Sequence, residues 1–190
     1  MKNAQIPILG FAAYSGTGKT TLLTKLIPLL KKTSLRVGLI KHSHHNFEID
    51  KPGKDSFRLR EAGASPVMLV SSHRRAIITE FNNIHEPRLD EQLNAFDQSE
   101  LDLILVEGFK AESFPKIELH RPSLNKTLIF PSDPDIIAIA TDDKINPTPS
   151  NTGLLPPDIA KLSIPSLLDI NNPNLIAAFI MNQFLGIQND

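Results

Sequence analysis

Residues 13–21, "AYSGTGKTT", set two glycines, a lysine and four serine or threonine hydroxyls within nine positions. That combination does phosphate chemistry. Gly16 and Gly18 can take positive φ, which lets successive backbone N–H groups turn inward onto phosphate oxygens. Lys19 can bridge β- and γ-phosphates, and the Thr20 hydroxyl can ligate Mg²⁺. Ser15, Gly16, Thr17, Gly18, Lys19, Thr20 and Thr21 are therefore read as the contacts for a nucleoside triphosphate. The strict pattern G-x-x-x-x-G-K-[ST] asks for glycine where Ala13 stands.

A phosphate loop of this kind needs an acidic partner at a neighbouring strand end. "LDLILVEG" supplies Glu107, placed to complete a Mg²⁺ shell through water or to orient an attacking water. Lys19 and Glu107 are the catalytic pair of this reading. No arginine is evident beside the loop to stabilise transition-state charge, so hydrolysis should be slow. The segment "KHSHHNFEIDKPGKDS" (41–56) crowds Lys41, His42, His44, His45, Asp50, Lys51, Lys54 and Asp55 after a strand. It reads as a switch-like loop with Asp50 near Mg²⁺, as a transition-metal site built on the histidines, or as a solvated loop. Lys41, His42, Lys51 and Lys54 are candidates for a second, anionic ligand. "NKTL" (125–128) lacks the aspartate of the N-K-x-D guanine reader, whereas "ATDD" ends a strand. There Asp142 or Asp143 could accept from guanine N1 and N2.

Positioning these residues takes strands alternating with helices. "IPILGFAAY" (6–14) is a buried strand and "KTTLLTKLIPLLKK" (19–32) a helix, with Pro28 expected to kink it or loosen its last turn. "LRVGLIKH" (35–42) is a second strand. "DSFRLREAGA" (55–64) is a short helix capped by Asp55 and stopped at Gly63. Residues 66–81 form a hairpin. A helix over 88–96 feeds the very apolar strand 101–109. "PKIELHR" (115–121) alternates as an edge strand would, and 135–143 is another buried strand. A proline-rich loop occupies 144–165, and an amphipathic helix spans 171–185, opened by a cap and Pro173. The expected fold is α/β: a P-loop NTPase-type, mainly parallel sheet flanked by helices, with an added antiparallel hairpin. Ligands bind at the carboxyl ends of such strands. The whole chain, 1–190, is read as one nucleotide-binding domain.

Composition narrows the partners. The formal charge of −1 over 190 residues gives no basic field for nucleic acid. No apolar run approaches the ~18–20 residues of a membrane span. The absence of cysteine excludes disulfides and thiolate metal sites, and a cytoplasmic location is expected.

In order along the chain, "AAYSGTGKTTLL", "GLIKHSHH", "DKPGKDS", "EAGA", "LDLILVEGFK" and "LLDIN" closely resemble the MobB family, the molybdopterin-guanine dinucleotide biosynthesis adapter proteins. Ala13 resembles a variant that this family accepts, while the region 144–165 matches poorly. The resemblance implies GTP as ligand, with weak hydrolysis, a homodimer, and service to molybdenum cofactor maturation. It also implies a partner, molybdopterin or the enzyme that attaches GMP to it. The 66–81 hairpin is then the expected dimer element. Two other classes stay open: a small-molecule kinase whose 41–56 loop holds an acceptor, and a metallochaperone GTPase using the histidines. Against the kinase stands the lack of an arginine-rich lid, Arg74 and Arg75 being the nearest candidates. Against the metallochaperone stands the lack of cysteine or a long histidine tract.

Overall fold

A computed structural model describes residues 1–43, 46–83, 85–142 and 165–187. The chain forms two compact units, Met1–His42 with Arg88–Asp190, and Ser43–Pro87.

The larger unit is built on a six-stranded parallel sheet in the order β2-β5-β1-β6-β7-β8. Its strands are β1 (Ile8–Ala13), β2 (Val37–Lys41), β5 (Leu103–Glu107), β6 (Lys116–His120), β7 (Ile136–Thr141) and β8 (Ser166–Asp169). Among the described residues the helices α1 (Lys19–Lys32), α3 (Leu89–Ala95) and α4 (Pro173–Phe179) accompany it. Strand β5 shows why the sheet is covered on both faces. Leu103 and Leu105 enter the core with Leu22, Leu26 and Leu30 of α1 and Ile176 of α4. Ile104 and Val106 face the other way, into a cluster with Leu89 and Leu93 of α3. Continuous apolar strands between two helical layers are the signature of this architecture. From β1 the chain steps across β5 to reach β2, and the later strands run outward on the opposite side. The strand order therefore reverses at β1, and the crevice beyond its carboxyl end is where such sheets bind ligands.

Several local expectations change. Strand β6 is interior, between β1 and β7, and all five residues are buried. Two of its alternating polar residues, Lys116 and Glu118, have protein partners in place of solvent. Lys116 Nζ lies 3.0 Å from Asp133 and over the Phe114 ring, and Glu118 accepts from the Ile129 and Phe130 N–H groups at 2.8 Å each. Helix α1 runs unbroken through Pro28. Strand β8 was not anticipated; it closes the sheet just before Asn172, which caps α4 by accepting from Leu175 N–H. The helix expected to 185 gives way after Phe179 to a π-helical turn over Ile180–Phe184.

The smaller unit holds α2 (Asp55–Glu61) and the antiparallel pair β3 (Val67–Val70) and β4 (Arg75–Ile78). Asp55 is the first residue of α2, not its cap; Lys54 takes the cap position without a side-chain bond. Arg60 of α2 ion-pairs with Glu48 and Glu80, tying the segments on either side to the helix. The expected hairpin is present. Met68, Val70 and Ile77 share its solvent face and are each more than half exposed. The proline-rich stretch lies outside the described residues, apart from Pro165. Among the described residues no helix is long and apolar enough to cross a membrane.

Candidate functional site

The bend after β1 has the geometry its residues dictate. Gly16 and Gly18 sit at φ 83° and 95°, conformations that side chains with a Cβ rarely adopt. Ala13 sits upstream as the last residue of β1, opposite Leu119 and without positive φ, so glycine is not needed there. Gly18 opens α1, and its carbonyl accepts the first helical bond, from Leu22, at 2.9 Å. Among the described residues no side chain caps this helix. The N–H groups of its first turn, Lys19, Thr20 and Thr21, thus lack intrahelical partners and favour an anion. Thr20, Thr21, Ser15 and Gly16 are exposed along the bend. Thr17 is buried instead, its hydroxyl and its N–H both donating to the Tyr14 carbonyl, at 2.8 and 3.4 Å.

Glu107 ends β5, in register with Phe11 of β1 and Lys41 of β2. One of its oxygens, Oε1, stands 3.5 Å from Lys19 Nζ and 3.4 Å from Lys41 Nζ. Burial lowers the Lys19 pKa, an effect that Glu107 opposes and that Lys110 and Lys41 reinforce. A partly desolvated ammonium beside a single carboxylate gains from an incoming phosphate. Lys110, three residues beyond Glu107, lies over the Tyr14 ring at 5.7 Å and was not singled out from the sequence. Gly108 has φ 102° and leaves no room for a Cβ, which would fall 2.6 Å from His42 Cβ. The chain turns there so that His42 N–H donates to the Glu107 carbonyl at 2.8 Å and its ring stacks on Phe109. Lys19, Lys41, His42 and Glu107 are thereby brought together.

On the other side of the bend, Asp142 follows β7 and ion-pairs with Arg121. Arg121 follows β6, and its Nε donates to the Thr17 carbonyl at 2.9 Å. Its remaining terminal nitrogen reaches Asn171 Oδ1 at 3.2 Å. An arginine thus does stand at the bend, contrary to the expectation from sequence. The adjacency of β6 to β1, invisible in the linear order, brings it there.

Asp50, Lys51 and Lys54 belong to the smaller unit. Asp50 Oδ1 accepts from Lys51 N–H at 2.9 Å and Ser56 Oγ at 3.0 Å, while Oδ2 is buried with no hydrogen-bond partner among the described residues. His44, His45 and Asp143 lie outside the described residues. Among the described residues no three His, Cys, Asp or Glu side chains gather as a metal site. The donors at the bend, one hydroxyl and one carboxylate, suit Mg²⁺, which takes one or two protein ligands and completes its shell with phosphates and water.

Comparisons with known proteins agree along nearly the whole chain. Residues 8–142 match the family described as molybdopterin guanine dinucleotide synthesis protein B. A molybdopterin-guanine dinucleotide biosynthesis adapter protein of Haemophilus influenzae is 47% identical over 181 residues, 95% of this chain and 90% of that one. Its Escherichia coli counterpart is 45% identical over 182 residues, 93% of this chain and 92% of that one. The fold is shared with a crystal structure of molybdopterin-guanine biosynthesis protein B, at a TM-score of 0.66 and 22% identity, over 93% of this chain and 99% of that one. With the family match spanning most of the chain and full-length relatives close to half identical, this protein belongs to the MobB family.

Proposed function

We propose that this protein binds GTP with Mg²⁺ at the 15–21 bend and serves as an adapter in molybdopterin-guanine dinucleotide biosynthesis, the role named for its relatives. The observation that carries the nucleotide reading is the left-handed Gly16–Gly18 bend opening an uncapped helix, with Lys19 facing Glu107. Thr20 would hold the Mg²⁺ and Glu107 its outer water shell. The metal would offset charge on the β- and γ-phosphates. The backbone N–H groups and Lys19 orient those phosphates, and Asp142 reads the guanine edge.

Hydrolysis is weak on this reading. Glu107 is engaged by two ammonium groups and Arg121 by a carbonyl and two side chains, so neither stands poised on an attacking water. The protein acts in the cytoplasm as a homodimer joined through the exposed hairpin face of Met68, Val70 and Ile77. Lys41, His42, Lys51 and Lys54 are the candidate side chains for molybdopterin or for the guanylyl-transferring enzyme.

The test is a pull-down against that enzyme, with direct binding of GTP and of molybdopterin measured in parallel. Charge-removing changes at His42 and Lys54 should impair partner or molybdopterin binding more than GTP binding. Retention of both interactions by the variants, or phosphate from GTP on a small-molecule acceptor, would overturn the adapter reading.

A further inference from the structure

Arg121 spends its whole guanidinium on neighbours that are remote in sequence. Nε donates to the Thr17 carbonyl, one terminal nitrogen meets Asp142 beyond β7, and the other meets Asn171 beyond β8. A planar fork held at three points has little freedom left. The bonded carbonyl belongs to the peptide joining Thr17 to Gly18. In a trans peptide C=O and N–H point to opposite sides, so fixing that carbonyl also fixes the Gly18 N–H. This N–H is turned away from Arg121 and has no backbone acceptor among the described residues. Gly18 is the residue most in need of such a restraint, since at φ 95° glycine has no side chain to hold its conformation.

From this geometry we infer that Arg121 is the positioning residue of the phosphate loop. Clamped by Asp142 and Asn171, it aims the Gly18 N–H at the phosphate and couples the loop to the ends of β7 and β8. The inference rests on the nucleotide-binding reading above, and adds to it a residue that touches the loop rather than the ligand's reacting atoms. It makes the anion site depend on side chains that a bare polyphosphate need not touch.

The experiment titrates inorganic tripolyphosphate, which carries no base or ribose, into the wild type and into Arg121→Ala, Arg121→Lys and Asp142→Asn. Nuclear magnetic resonance follows the Gly18 amide. Arg121→Ala should weaken tripolyphosphate binding by roughly tenfold, the loss of one charge-assisted hydrogen bond, and shrink the Gly18 amide shift on binding. Arg121→Lys can restore the bond to Thr17 but not the three-point clamp, so it should recover part of the affinity. Asp142→Asn loosens the clamp without touching the loop and should weaken binding less; it keeps the test decisive if Arg121→Ala does not fold. Wild-type affinity and an unchanged Gly18 shift in the variants would overturn the inference while leaving the nucleotide reading intact. A wild type that binds neither tripolyphosphate nor GTP would overturn both, and a Lys19→Ala variant that binds both as tightly as wild type would count against the loop itself.

Discussion

Replacing Gly108 with alanine should damage the turn that presents Glu107, by an amount that a second glycine calibrates. At φ 102° an added Cβ takes up the left-handed strain of about 1–2 kcal/mol. It would also fall 2.6 Å from His42 Cβ and 3.4 Å from the His42 backbone N and Cα, so β2 or the turn must move. Overpacking of that kind costs about 1–3 kcal/mol. Gly186 has φ 68°, and among the described residues nothing lies within 4 Å of where a Cβ would stand, so it isolates the conformational part. Urea denaturation should therefore show Gly108→Ala destabilised by roughly 3 kcal/mol and Gly186→Ala by about 1 kcal/mol. For a chain of this size the first corresponds to about 6–12 °C in melting temperature. Equal losses in the two variants would refute the steric argument and with it the packing of His42 against the Glu107 turn.

Burial raises the Glu118 carboxyl above its ordinary range, against the pull of the Ile129 and Phe130 N–H groups. Stability tied to its protonation is present below the unfolded carboxyl's range and lost as pH rises through the raised value. The wild type should therefore lose ground to Glu118→Gln in urea melts as pH rises above the ordinary carboxylate range, and a flat difference would contradict this. Basal turnover of GTP should lie far below ~1 s⁻¹, and Glu107→Gln should lower it further while keeping most GTP affinity, as followed by phosphate release. Ile77→Lys, on the exposed hairpin face, should convert a dimer to monomer in light scattering; a wild type that is monomeric at micromolar concentration would refute the interface.

The parts of the fold written in local pattern were legible in the sequence. The Gly16–Gly18 bend, the apolar run ending at Glu107 and the hairpin each carry their signal within a few residues. What escaped depends on sheet order. Strand β6 reads as an edge because Lys116, Glu118 and His120 alternate with apolar residues. The partners that make such burial tolerable for Lys116 and Glu118, Asp133 and two backbone N–H groups, come from a later segment. Arg121 meets Thr17 across 104 residues because β6 lies beside β1, and no spacing rule announces that contact. Ala13 departs from the glycine pattern on paper only, since the chain is still extended strand at that position. The family resemblance reached further than periodicity, because "VEGFK" already contains both Glu107 and Lys110.

Binding of a nucleoside triphosphate at the 15–21 bend should run through Lys19. Calorimetric titration of Mg²⁺–GTP into the wild type and Lys19→Ala tests it most directly, with the melting temperature of each nucleotide-free protein as a check on folding. Burial disfavours the Lys19 charge, so its removal should not weaken the nucleotide-free fold. The account predicts saturable binding by the wild type and none by a Lys19→Ala protein that melts no lower. Equal affinity in the two proteins would contradict it.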